Sequence, residues 1–133
     1  MIYLLDTNAV IAALKGHPGM LAAIRAQRPQ DVRISSIVAH ELYYGAFRAQ
    51  RVAENLARVD ALQFGVVEFD RDDARSAGAV RAALASDGSP IGPYDVLIAG
   101  QALSRGLILI TRNTREFARV EGLSIENWED RTP

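Results

Sequence analysis

The chain has no cysteine, one lysine and two histidines, and no apolar run that approaches the roughly 18 residues a membrane-spanning helix needs. Without cysteine there is no disulfide framework, no thiolate nucleophile and no zinc-thiolate site. The apolar start is too short for a signal peptide and no basic segment precedes it, so the expected setting is the cytoplasm, without membrane association. An excess of positive charge is missing too. Fifteen Lys and Arg face sixteen Asp and Glu for a net charge of −1, which rules out the global field of a nonspecific nucleic-acid binder. Any such contact must come from a local patch. Lys15 is the only lysine, so the cations are almost all arginine, whose guanidinium fork holds phosphate oxygens in pairs. A GC-rich genome would produce the same bias.

What is present fits one domain over residues 1–133. Hydrophobic residues make up 49% and charged residues 23%, enough to bury roughly two-thirds of the surface that the unfolded chain exposes. There are no sequence repeats, low-complexity tracts or internal linkers.

Ile2 to Leu5 is uninterruptedly apolar, as a strand covered on both faces would be, and it stops at Asp6-Thr7-Asn8 before a helix that runs to Leu14 and closes at Gly16. Asp6 is either an N-cap or a site residue, and Thr7 or Asn8 can cap in its place and leave the acid free. A second helix is expected from Met20 to Arg28 and a strand over Val32–Ser35. Ser36 should cap the next helix, which buries Val38, Leu42, Gly45 and Ala46 and runs to about Ala49. Glu41 in that helix has no cation three or four residues away, so its partner is solvent, a distant residue or a metal. Further on, the pattern predicts a helix over Arg51–Gln63, a strand over Val66–Phe69, and a long helix over Arg71–Ala85 headed by the capping pair Asp70 and Asp73. A Gly/Pro/Ser loop leads to Asp95, in the first turn or at the cap of an apolar helix that Gly106 ends. Leu107–Ile110 is a second fully apolar strand and ends in the polar cluster Thr111–Phe117. Ser124-Ile125 can add an edge strand, and Trp128 packs the tail down.

Alternating strands and helices give an α/β class, with a mainly parallel sheet of about four to five strands covered by helices on both faces. If the two apolar strands are central and parallel, Asp6 and Thr111 end on one edge. The helix begun by Asp95 runs antiparallel to the sheet and starts at that edge, and Glu41 can project there from its own helix. Carboxylates about 4 Å apart repel by roughly 4 kcal/mol at an effective dielectric near 20, so such a cluster needs a dication or retained protons. Oxygen-only donors suit Mg²⁺ or Mn²⁺, which activate water and steady charge on a phosphodiester.

Four motifs now stand in order: Leu4-Leu5-Asp6-Thr7-Asn8, Ser36-x-x-x-x-Glu41-Leu42-x-x-Gly45, Ile91-Gly92-Pro93-Tyr94-Asp95-x-x-Ile98-Ala99 and Thr111-x-Asn113-x-x-Glu116-Phe117. In order and spacing they resemble the PIN-domain ribonucleases, and among them the VapC toxins of bacterial toxin–antitoxin pairs. The resemblance spans almost the whole chain and implies a single PIN-like domain that hydrolyses RNA, with transfer RNA or another structured RNA as the substrate class. It implies that Asp6, Glu41 and Asp95 coordinate Mg²⁺ or Mn²⁺. It also implies a VapB-like antitoxin as partner and a homodimer. Many PIN domains carry Asp two residues after the strand-end Thr; this chain has Asn113 there and offers Glu116 three residues later, so both are supporting candidates, with Thr111 orienting a carboxylate or a water. Arg48, Arg112 and Arg115 are the candidates for holding RNA. Outside that family, the alternatives are a phosphoacceptor signalling module, which wants a strand-end lysine where Lys15 stands at a helix end, and a non-catalytic binding domain with an acidic cleft. His17 and His40 are expected to be surface or structural.

Overall fold

A computed structural model of the protein describes residues 1–131. The chain runs β1 (Tyr3–Leu5), α1 (Thr7–Leu14), α2 (Pro18–Arg25), β2 (Val32–Ser35), α3 (Ser36–Arg48), α4 (Val52–Asp60), β3 (Gly65–Val67), α5 (Arg71–Ser86), α6 (Pro93–Arg105), β4 (Ile108–Ile110), α7 (Thr114–Phe117) and β5 (Ile125–Glu126). The five strands form one sheet in the order β3-β2-β1-β4-β5, and every pairing is parallel. Leu4 and Leu5 point to opposite faces of the sheet, and both are fully buried, so helices cover both sides of β1. From β1 the chain steps outward through β2 to β3, then returns to β4 on the other flank of β1. The strand order therefore reverses between β1 and β4, where an open α/β sheet leaves its ligand crevice at the carboxyl ends. Leu5 pairs with Ile110, which sets Asp6 and Thr111 side by side at that point.

At α1 the structure decides between the open alternatives, and elsewhere several helix starts differ from the sequence expectation. β1 stays extended through Asp6, so Asp6 itself is the N-cap of α1, and its Oδ1 accepts from the Ala9 N–H at 2.8 Å. Thr7 and Asn8 do not take over that role. β2 likewise runs straight into α3, so the cap is Ser35, accepting from the Ile37 N–H, while the Ser36 hydroxyl accepts from the Phe69 N–H on the far side of β3. Gly45 is exposed, and only Val38, Leu42 and Ala46 of the expected α3 face are buried. α2 begins earlier than expected, at Pro18, because His17 caps it by accepting from the Met20 N–H through Nδ1. α4 is shorter than expected and none of its residues is fully buried.

Two contacts fix the parts that matter for the site. Asp70 and Asp73 form a reciprocal capping box at the head of α5, and buried Asp73 also accepts from Gln101 and Arg105 of α6. α5 and α6 touch backbone to backbone, because a Cβ on Gly100 would lie 2.4 Å from the Cα of Ala77. At the other end, Trp128 is fully buried, stacks at 5.0 Å on Tyr3 and donates to Glu126. That anchors a short 3-10 turn, Trp128–Asp130, and the carbonyls of Trp128, Glu129 and the following Arg131 press on Gly19 of α2 so closely that a Cβ there would clash at 2.6 to 3.1 Å.

Candidate active site

At the end of β1, Asp6 is 3% exposed. Burial raises its pKa above the ordinary carboxylate value; hydrogen bonds from the Thr111 side chain and the Ala9 N–H oppose that, and the carboxylates of Glu41 and Glu129 add to it. Thr111, buried at the end of β4, is thus the neighbour that steadies Asp6, and its Oγ1 also accepts from the Asn113 N–H at 3.0 Å. Glu41 projects from the second turn of α3 and takes a hydrogen bond from the Thr7 hydroxyl at 2.9 Å on Oε1. This is the distant partner that the missing helical cation implied.

Asp95 occupies the first turn of α6, where Pro93 supplies an N-terminal residue that needs no hydrogen-bond acceptor. Its pKa is pushed up to about 6, first by burial, then by the charges of Glu116, Asp6 and Glu41, with a hydrogen bond to Glu116 adding to the effect. Glu116, on α7, is held by the Gly92 N–H at 3.1 Å. Four carboxylates from four elements therefore feel one another at the switch point. Asn113 precedes α7 without capping it through its side chain.

The donor chemistry suits a hard divalent cation, being all carboxylate and hydroxyl oxygen without sulfur or imidazole. Among the described residues, however, no three His, Asp or Glu side chains are drawn together into a ready-made cage for an ion. Hydrogen bonds explain the spacing. Ala9, Thr7 and Gly92 each hold one oxygen of Asp6, Glu41 and Glu116 respectively, with Thr111 also on Asp6 and Asp95 also on Glu116. Burial and then the neighbouring carboxylates raise Asp95, and that second contribution, the repulsion, is what a bound dication would relieve.

The arginines are placed less uniformly. Arg112 is exposed and lines a cavity of about 310 Å³ beside α1. Arg115 lies exposed on α7. Arg48 sits two helical turns beyond Glu41, with its guanidinium 5.4 Å over the Tyr44 ring. Thr7 and Gly92 stand in the sequence motifs without their present roles, a hydroxyl on Glu41 and a backbone N–H on Glu116, and Glu129 carries no sequence signal, its charge acting on Asp6 because buried Trp128 folds the tail back. His40 is exposed and stacks on Tyr94 at 5.2 Å, and His17 is a helix cap, in keeping with the structural roles expected of them.

Comparison with known proteins gives a consistent picture. The PIN domain family model matches residues 3–123. The chain is 41% identical over 128 residues, covering 95% of it and 97% of the relative, to the tRNA(fMet)-specific endonuclease VapC of Shigella flexneri. It is 37% identical, over the same shares, to ribonuclease VapC2 of Haemophilus influenzae. Among solved structures, the DNA-bound VapBC complex of Salmonella typhimurium superposes with a TM-score of 0.91 at 40% identity, covering 96% of this chain and 98% of that one.

Proposed function

The chain belongs to the PIN-domain family, and from that premise we propose that it is an endoribonuclease, the toxin of a type II toxin–antitoxin pair, that hydrolyses RNA phosphodiesters with the help of Mg²⁺ or Mn²⁺. The observation that carries this reading is the meeting of Asp6, Glu41, Asp95 and Glu116 at the carboxyl ends of β1 and β4, with Asp95 raised to about 6. Relatives of 37 to 41% identity are named ribonucleases or endonucleases, and transfer RNA is the substrate class that the Shigella name suggests. The partner is a VapB-like antitoxin, in keeping with the VapBC complexes among the structural neighbours. A homodimer is the accompanying expectation.

In this scheme Asp6, Glu41 and Asp95 would hold the cation. When bound, it supplies Lewis-acid charge stabilisation at the phosphodiester and activates water. Thr111 fixes the rotamer of Asp6, Thr7 fixes Glu41, and the Gly92 N–H turns Glu116 toward Asp95. Glu116, hydrogen-bonded to Asp95 and to the Gly92 N–H, would hold Asp95 in place for the cation. Asn113, by its position, is a supporting residue that orients Thr111 through its backbone.

The test is RNA cleavage with and without chelator, for the parent and for Asp6→Asn, Glu41→Gln and Asp95→Asn. Asp6→Asn retains an oxygen that caps α1, so it should stay folded while cleavage falls at least about 100-fold, the scale of losing a group that acts in the transition state. Cleavage that survives chelation would remove the metal from the scheme. Parental rates in all three variants would remove the site.

A further inference from the structure

Two exposed rings meet at the rim of the acidic site. Tyr94 is the second residue of α6 and directly precedes Asp95, and His40 lies on α3 and directly precedes Glu41. Their ring centroids are 5.2 Å apart with the planes tilted by 58°, so the pair bridges α3 and α6 where Glu41 and Asp95 also sense each other's charge. Consecutive helical residues point about 100° apart, which sets the rings beside the carboxylates and not among them. Neither ring fills the core. Tyr94 stays 45% exposed with the His40 contact made, and His40 is exposed as well, while α3 buries Val38 and Leu42 and α6 buries Val96 and Ile98 on other faces.

A pair that served only to staple α3 to α6 would gain by burying the tyrosine, the larger of the two rings, and that is the ring left open. Its surroundings favour an uncharged contact. Four carboxylates repel a phosphate backbone, and a chain of net charge −1 has no general field to offset that repulsion. Stacking adds affinity without charge and does not compete with a cation for the acids. Every base has a π-face, so an exposed aromatic ring accepts any base that has left its helix. A base paired inside a stem has both faces covered by its neighbours and cannot use such a ring.

We propose that Tyr94, backed by His40, is a stacking platform for an unpaired nucleobase adjacent to the scissile phosphodiester. The proposal rests on the nuclease reading above and deepens it, because the nucleotide beside the cut must then be single-stranded or flipped out, whichever RNA carries it. His40 supports the tyrosine ring from one side, and the open surface of Tyr94 is what the base meets.

Binding is measured in an Asp6→Asn background with an RNA hairpin that carries 2-aminopurine, a fluorescent base quenched when it stacks, at successive loop positions or in the stem. The loop base next to the cut should be quenched on binding, and a stem base should not. Tyr94→Phe keeps the ring and should retain both quenching and affinity. Tyr94→Leu keeps apolar bulk without a π-face; it should lose the quenching and weaken binding by at least about fivefold, the lower end for one stacked base. The salt slope should not change, since no phosphate contact is lost. His40→Ala should weaken binding by less than Tyr94→Leu does, and parental binding there overturns the support given to His40. Thermal melts confirm that each variant keeps its fold. In the cleaving chain, Tyr94→Leu should raise KM and leave kcat, because the stack is made in the ground and transition states alike. Parental quenching and affinity in Tyr94→Leu overturns the platform, and so does a fall in kcat at parental affinity, which would make Tyr94 a support for Asp95 alone. Cleavage of the hairpin by the unmodified chain is measured alongside: failure there overturns the nuclease reading, whereas normal cleavage with unaltered binding in Tyr94→Leu overturns only the platform.

Discussion

At the scale of the residue, the site is recognisable because it opposes folding. Asp95 has an ordinary value of 3.8 in the unfolded chain and about 6 in the fold, so the unfolded state sheds its proton first as pH rises. Stability associated with Asp95 is therefore complete below about pH 4 and is lost as pH climbs through 6, by about 1 to 2 kcal/mol after allowing for partial solvent screening. Asp6 shifts in the same direction. Asp73 works the other way: burial alone would raise it, but Arg105, the Asp70 N–H and Gln101 outweigh that, so it stabilises above its unfolded value and loses this only in stronger acid. Urea melts of the metal-free protein between pH 4 and 7 should show stability falling across that window. Asp95→Asn should flatten the fall, and a profile identical to the parent's would mean that the acids do not feel one another. As candidates, Asp6 and Asp95 were legible in the sequence from their places at a strand end and a helix start, and Glu41 from its apolar helix without a nearby cation, whereas Glu116, in a polar cluster with Arg112 and Arg119 close by, was a supporting candidate only through the family resemblance. Glu129 was not legible, since nothing in its spacing links a residue of the tail to the end of the first strand. Only the burial of Trp128 makes that link.

At the scale of the element, α6 determines where Asp95 stands. Its start was visible in the Gly92-Pro93 step and its end in Gly106, which adopts φ of +65°. β2 and the α5 capping box were equally legible, because Val32–Ser35 is bounded by Pro29 and a helix start, and Asp70 with Asp73 is a local pattern. The cap of α3 was misplaced by one residue, and at α1 the structure takes Asp6 among the open alternatives, since the extended conformation of Asp6 and Ser35 is set by sheet pairing and not by local preference. The intimate α5–α6 contact was not legible, because a glycine inside a helix does not announce its neighbour. Gly100→Ala would drive a methyl into the Ala77 backbone, where no flexible side chain can yield. It should cost at least about 3 kcal/mol, the upper end for overpacking, and by displacing α6 should lower cleavage as well. Gly78→Ala, with open space around the new Cβ on neighbouring α5, should be neutral or stabilising in the same melts. Equal behaviour of the two would mean that the helices do not meet as described.

At the scale of the whole molecule, one surface remains unexplained by the fold. The end of α3 carries Tyr44 at 57% and Phe47 at 63% exposure, beyond what the core buries through Val38, Leu42 and Ala46. The sequence already suggested this, because Leu42 to Phe47 has more apolar residues than one helical face can cover. Arg48 over Tyr44 shields that ring partly, and nothing comparable shields Phe47. A toxin that is harmless until released needs a partner that binds its exposed apolar surface, and this face, on the same helix as Glu41, is the part of the surface that most calls for one. Phe47→Glu replaces an exposed ring with a charge that a partner's apolar surface must desolvate. Since the site is solvent-facing, the melting profile and RNA cleavage of the free protein should match the parent, surface changes of this kind costing within about 0.5 kcal/mol. Association with a VapB-like antitoxin should weaken by at least about tenfold, the usual scale for a residue central to an interface, and the antitoxin should then suppress cleavage less well. Calorimetric titration of the antitoxin into parent and variant measures it directly. An unchanged affinity, with both proteins folded, would show that the antitoxin binds elsewhere.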